Sequence, residues 1–384
     1  MKKRVLAALL VGAMVTGLLA GCGSSSGDEG SSDGTSGSIT IWEHDYTFED
    51  SLAAVIEAFN EEYPDIEVNY EIRADGDYYS LLSTAIQSGD GPDLFWTNGT
   101  ATVNMPDYVD NGAIADLTDK VDFSFFDDNA LALSEIDGKY YSVPWMTLDT
   151  RTVFYNKDMF EEHGWEVPKT FSEFEDLLAE IKGEGITPIS MALESWSLLF
   201  GFEPILAGYD PDYSAKLQDY TDVTATDQPV RDCMQLMVDW ADKGYFGDNW
   251  QGVIDNASQI LAFTSGNAAM GIAGSWDAAT ISSNNPDLNY GAFAIPSEDG
   301  TCGLVGSAAN GFSVNSASSN LEAALTFANF CATEEAQTIW VQSQGAVPAT
   351  DTIEASTEIA QEISDSGQGN LYRSWQNVLS SYSS

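Results

Sequence analysis

The hydrophobic pattern of this chain resolves into a repeating order of strands and helices from Ile39 onward. Ile39-Thr-Ile-Trp42 is a short β-prone run. Leu52, Val55, Ile56 and Phe59 then recur at i, i+3, i+4 and i+7, one face of a helix that Pro64 ends. Thr47, with Asp50 three positions later, reads as the capping box of that helix. Ile66 to Ile72 alternates apolar and polar residues as a half-buried strand does. Tyr79, Leu82 and Ile86 mark a second helix that stops near Gly89, and Pro92-Asp-Leu-Phe-Trp96 opens another strand. The order β-α-β-α-β predicts an α/β fold with parallel strands. The rhythm resumes with a strand over Arg151–Tyr155. Thr170 and Glu173 form a capping box ahead of a helix whose inner face is Phe174, Leu177, Leu178 and Ile181. A strand over Ile189–Leu193 follows, then a helix over Arg231–Asp242 with Cys233, Leu236, Met237 and Trp240 on one face. Last come a strand over Ala268–Ala273 and a helix, capped by Asn320, with Leu321, Ala324, Leu325 and Ala328 inward.

The pattern before Ile39 is of another kind. Met1–Arg4 is basic, and Val5–Ala20 carries no charge. This apolar run is shorter than the roughly 20 residues a membrane span needs, so it reads as a secretory signal. Leu19-Ala20-Gly21-Cys22 resembles the lipobox of bacterial lipoproteins. That resemblance implies cleavage of residues 1–21 and lipidation of Cys22. The competing reading is an ordinary signal peptide that contains a cysteine. Residues 22–38 are mainly Gly, Ser and acidic residues, a composition that cannot bury apolar surface and stays a coil. The expected location is the extracytoplasmic face of the cell membrane, held through the lipid.

Composition changes the picture mainly by exclusion. Fourteen basic residues against 60 acidic ones give a formal charge of −46. Such a chain has little with which to neutralise phosphates, which excludes nucleic acid as a partner and a peripheral grip on anionic lipid. With Cys22 modified, Cys233, Cys302 and Cys331 remain, an odd number with no CxxC pair. No disulfide framework or metal site is expected from them. The two histidines, His44 and His163, lie in no HExxH motif, and His163 precedes Gly164 at a helix end where capping explains it. GxSxG occurs, as Gly23-Ser-Ser-Ser-Gly27, inside the tether and away from any strand-to-helix turn. No P-loop or GxGxxG is present. No catalytic residue, metal or cofactor is expected, although a glycosidase carboxylate pair cannot be dismissed by counting acids.

Several segments align in order with one family. Phe154-Tyr-Asn-Lys-Asp-Met-Phe160 followed by Pro168-Lys-Thr-Phe-Ser-Glu-Phe174 resembles the signature of the extracellular solute-binding proteins that serve ABC importers for sugars. Ser88-Gly-Asp-Gly-Pro-Asp-Leu-Phe-Trp96, Ala268-Ala-Met-Gly-Ile-Ala-Gly-Ser-Trp276 and Asn310-Gly-Phe-Ser-Val-Asn315 are similar to further family segments, and together they span Ile39 to about Pro348. The resemblance implies two α/β lobes joined by a hinge, with the ligand in the cleft between them. Residues 39–145 with 300–345 would form the first lobe, and 146–299 with 346–384 the second.

It also implies a ligand set. Glu43, His44 and Asp45 follow the first strand, where the family places polar contacts. Trp96 and Trp276 match stacking tryptophans, Asp149 matches a sugar-binding acid, Glu194 and Trp196 match an acid–aromatic pair, and Trp375 matches a third stacking ring. Trp145, Asn98 and Asn310 complete the candidates, with core packing the competing reading for Trp42 and Trp145. The residue types suit a sugar: an aromatic ring covers the C–H face, while carboxylates and amides bind the hydroxyls. The expected partners are a neutral carbohydrate, most simply an oligosaccharide, and the permease subunits of an importer, with the chain itself a monomer. Two alternatives stay open. Acidic groups and tryptophan walls would also suit a polyamine through cation–π contacts, and a surface enzyme acting on glycans would show two facing carboxylates and make products.

Overall fold

The computed structural model describes residues 36–73, 75–192, 195–217 and 223–375. Cys22, the segments on either side of it and Glu194 lie outside the described residues, as does the Trp196 side chain. The strands are β1 (Gly37–Glu43), β2 (Ile66–Ile72), β3 (Leu94–Trp96), β4 (Glu135–Ile136), β5 (Lys139–Tyr140), β6 (Val143–Asn156), β7 (Thr187–Ser190), β8 (Ala268–Gly274), β9 (Tyr290–Phe293), β10 (Leu304–Val314) and β11 (Leu371–Tyr372). β4 and β5 form a separate hairpin, and the others join one sheet whose main path runs β2-β1-β3-β10-β6-β8-β7.

The first three strands are parallel, with β1 between β2 and β3, as the β-α-β-α-β pattern predicts. The helix Glu49–Glu62 that links β1 to β2 buries Leu52, Val55, Ile56 and Phe59, the face read from periodicity. Its start differs from expectation. Thr47 lies inside a 3₁₀ turn, Tyr46–Phe48, and the side chain of Asp45 caps that turn by accepting from the Thr47 N–H at 2.8 Å. Asp45 out-competes Thr47 because its carboxylate reaches two residues forward, the geometry of an Asx turn. In contrast, Thr170 caps the helix Phe171–Gly183 as expected, and Phe174, Leu177, Leu178 and Ile181 are all buried. Asn320 occupies the cap position of Leu321–Cys331 but makes no side-chain cap bond.

The centre of the sheet is antiparallel. β6 is 14 residues long, and only Asp149 and Tyr155 on it escape full burial. Its first half pairs with β10 and its second half with β8 and β9. Pairing with β10 shifts register between Ala308 and Ala309 and again before Phe312, so the strand bends there. A third segment runs beside this crossing: Leu148 donates to the Val347 carbonyl at 2.7 Å and Ala349 to the Met146 carbonyl at 2.8 Å.

Apolar side chains collect on both sides of the crossing. One core holds Ile39, Phe59, Leu94, Trp145, Phe327 and Trp340. Another holds Phe174, Ile189, Trp240, Met270, Phe293 and Trp375, with a smaller cluster around Phe154, Phe263 and Ile281. The three crossing segments join these packed bodies. Among the described residues no helix is long and apolar enough to cross a membrane, and Cys233, Cys302 and Cys331 are free thiols.

Candidate functional site

A cavity of about 350 Å³ opens where the two bodies meet. It lies beyond the carboxyl ends of β1, β3 and β8, the position at which open α/β sheets receive ligands. The crossing strands supply the floor, with Asp149 and Arg151 from β6 and Ser307, Ala308 and Asn310 from β10.

One wall follows β1 and β3. His44 and Trp96 stack with ring centroids 5.0 Å apart, and Phe48 stacks on Trp96 at 5.3 Å. Trp96 is fixed from its edge, where its indole N–H donates to Asn98 Oδ1 at 3.0 Å. Below the wall, Glu43 is fully buried and accepts from both the backbone N–H and Nδ1 of His44, at 2.7 and 2.6 Å. Burial raises the Glu43 carboxyl above the usual range, and the His44 contacts act against that. Glu43 therefore orients His44 from beneath and does not itself line the cavity.

The opposite wall is built after β8 and on the helix Ser195–Tyr209. Trp276 meets Phe200 edge to face, with centroids 5.2 Å apart. The Trp276 ring lies directly over Gly274, where a Cβ would stand 2.2 Å from it; the small residue in the expected Ala-Gly-Ser-Trp stretch has this steric cause. The Arg151 guanidinium lies 3.8 Å from the Phe200 ring centroid and 5.5 Å from that of Trp276. Its Nε stands 3.2 Å from Glu203 Oε2, and its Nη1 donates to the Asp149 carbonyl. Glu203 is buried in turn, with Oε1 accepting from Ser374 Oγ and the Trp375 N–H at 2.6 Å each.

Two carboxyls are shifted, Asp149 in the cavity and Asp277 next to Trp276 in the chain. Burial pushes Asp149 up to about 6, although the charges of Arg151 and His44 pull the other way. Asp277, at the start of the helix after Trp276, is also pushed up to about 6 by burial, with Asp45 adding to the rise; the Asn256 amide and the Gly274 N–H act against it.

The structure thus brings together His44, Asp45, Trp96, Asn98, Asp149, Trp276 and Asn310 from the expected set. The amide of Asn310 is engaged with the backbone, donating to the Leu133 carbonyl and accepting from the Gly311 N–H. Trp145 and Trp375 are placed elsewhere. Trp145 is fully buried and stacked on Trp340 with centroids 4.1 Å apart, because the strand that carries it is packed on both faces. Trp375 is buried beside Phe202 and Tyr213. Phe48, Phe200 and Ser307 line the cavity and were not anticipated. Phe200 lies on the helix Ser195–Tyr209, whose near-continuous apolar sequence gives no periodicity to mark the face that meets the cleft. A larger hollow of about 740 Å³ on the first core is lined mostly by Ser, Asn, Gly and Asp, with Tyr108 its one ring, and lacks paired aromatic surfaces. Among the described residues no group of His, Cys, Asp and Glu is placed to hold a metal.

Comparison with known proteins agrees with this architecture. The family model described as bacterial extracellular solute-binding protein matches residues 47–338. A multiple sugar-binding protein of Streptococcus mutans is 26% identical over 326 residues, covering 83% of this chain and 76% of its own length. A diacetylchitobiose binding protein, DasA, of Streptomyces coelicolor is 30% identical over 314 residues, 77% of this chain and 70% of its own. Among solved structures, the solute-binding protein RafE in complex with raffinose has a TM-score of 0.72 at 22% identity, covering 89% of this chain and 90% of its own. A chitin oligosaccharide binding protein also scores 0.72 at 22% identity, covering 90% of each chain. The two-lobe solute-binding fold is thereby shared, and this chain belongs to the bacterial extracellular solute-binding proteins.

Proposed function

We propose that this chain is the capture subunit of an ABC importer and that it binds a neutral carbohydrate, an oligosaccharide, without altering it. The observation that carries the reading is the pairing of aromatic surfaces on both walls of one cleft, Trp96 with Phe48 and His44 facing the side of Trp276 and Phe200, with Asp45 and Asp149 between them. Rings cover the C–H faces of a sugar, and the carboxylates accept from its hydroxyls. The volume suits a small ligand. The names of the relatives, which include sugar-binding proteins, support the same class. Closing of the cleft about β6, β10 and residues 347–349 would shut the ligand from water and present the closed form to the permease. Leu19-Ala20-Gly21-Cys22 supports a lipid anchor that keeps the protein at the outer face of the membrane.

Calorimetric titration against neutral oligosaccharides and polyamines, with each mixture checked for products, tests this. The expected result is saturable one-site binding of an intact glycan, weakened at least tenfold by Trp276→Ala, about 1.4 kcal/mol. Binding of polyamines alone, or cleavage of the glycan, would overturn the reading.

A further inference from the structure

Tyr78 lies on the helix Asp75–Ser88 and is fully buried behind the wall that carries Trp96. A phenylalanine would fill the same space, so the hydroxyl needs a reason of its own: a buried polar group costs stability unless it is hydrogen-bonded. It donates to the Trp96 carbonyl at 3.0 Å and to the Trp42 carbonyl at 3.2 Å. One O–H is thus shared between β1 and β3. The ladder between those strands pairs Ile41 with Leu94 and Trp42 with Phe95, and the hydroxyl sits where it reaches the strand ends. His44 and Asp45 leave one end and Asn98 leaves the other, and all three line the cavity. Burial, with the Glu43 carboxyl adding to it, raises the Tyr78 phenol well above its usual range, which keeps the hydroxyl a donor.

The Tyr78 ring also meets His44, with centroids 5.8 Å apart, while His44 stacks on Trp96 at 5.0 Å with 21° between the ring planes. Glu43 holds the Nδ1 edge of the imidazole. The stack depends on the spacing of the two strand ends, because His44 hangs from one and Trp96 from the other. A ring pair that presents a surface to a ligand binds better when it is fixed in advance, since little freedom is then lost on binding. Resting on the sugar-binding reading of the cleft for the class of ligand, we propose that Tyr78 is a positioning residue for binding: its hydroxyl clamps the ends of β1 and β3 at the spacing that stacks His44 on Trp96. Tyr78 does not line the cavity itself and acts through those two rings.

Tyr78→Phe removes the hydroxyl and keeps the ring, and two readouts on the full chain test its effect. The first is the NMR spectrum of the protein without sugar, read at the Trp96 indole N–H, assigned with Trp96→Phe, and at the His44 ring. The second is calorimetric affinity for raffinose, maltotriose and cellotriose. The expected result is that both signals move and that any of these sugars taken by the unaltered protein binds at least about fivefold more weakly. Val55→Ala, at a fully buried position on the helix Glu49–Glu62, is the comparison: it should lower the melting temperature and leave the two signals and the affinity in place. Trp96 and His44 signals that stay put in Tyr78→Phe would overturn the inference. So would an unaltered affinity, or equal changes in Val55→Ala. Failure of all three sugars to bind the unaltered protein would count against the sugar-binding reading, while the two signals would still decide whether Tyr78 sets the stack.

Discussion

Single side chains in this protein divide sharply between the cleft and the core, and residue type alone does not tell them apart. Trp96, Trp145 and Trp276 all stand near strand ends in the sequence, yet Trp145 is sealed against Trp340 while the other two line the cavity. Trp145→Ala should therefore lower unfolding free energy by about 3–5 kcal/mol, measured by denaturant titration, and change the ligand affinity of the folded fraction little. Gly274→Ala should do the reverse: a Cβ 2.2 Å from the Trp276 ring displaces it, so affinity falls at least tenfold with a smaller change in melting temperature. The aromatic pairing was legible where motif order fixed its position, at Trp96 and Trp276. It was not legible for Phe48 and Phe200, which depend on a turn and a helix face that only the folded chain defines. Asp149 gives a prediction with a definite sign. Its folded pKa of about 6 lies above the ordinary 3.8, so its carboxylate is disfavoured in the fold. Its contribution to stability is fully present below about pH 4 and is lost as pH rises through 6. Stability curves between pH 4 and 7.5 should slope less steeply for Asp149→Asn than for the unaltered protein, and identical slopes would contradict the assignment.

At the scale of elements, the crossing strands decide how the two bodies are joined. Helices with a one-sided apolar face were readable because burial on one face leaves a 3.6-residue period, as in Phe174 to Ile181. β6 was only half readable. Arg151–Tyr155 announced itself, but Val143–Thr150 is buried on both faces and carries no alternation to mark it as the same strand. The bends in β10 were invisible for a related reason, since they follow from its register against β6. Gly306 shows what the crossing demands: a Cβ there would stand 2.0 Å from the Asp149 carbonyl oxygen. Gly306→Ala should force the strands apart and lower the melting temperature by several degrees. Glu203 joins another set of elements, tying the helix Ser195–Tyr209 to β6 and to residues 374–375. Glu203→Ala removes one partner of a buried ion pair and should cost about 3–5 kcal/mol of stability. A loss near zero, read from the denaturation midpoint, would show that the network does not hold.

On the scale of the whole molecule, the α/β order, the parallel first strands and the cleft between two packed bodies were all foreseeable from pattern and motif order. Which residues floor the cleft was not, because that depends on the register of β10 against β6. The proposed function needs these bodies to move about β6, β10 and residues 347–349 when the ligand enters. Small-angle X-ray scattering of the protein with and without a saturating glycan tests that requirement most directly. The account predicts a smaller radius of gyration on saturation, with the same decrease reached by Trp276→Ala only at a glycan concentration at least about tenfold higher. A radius that stays constant while calorimetry reports full occupancy would contradict capture by closure of the cleft.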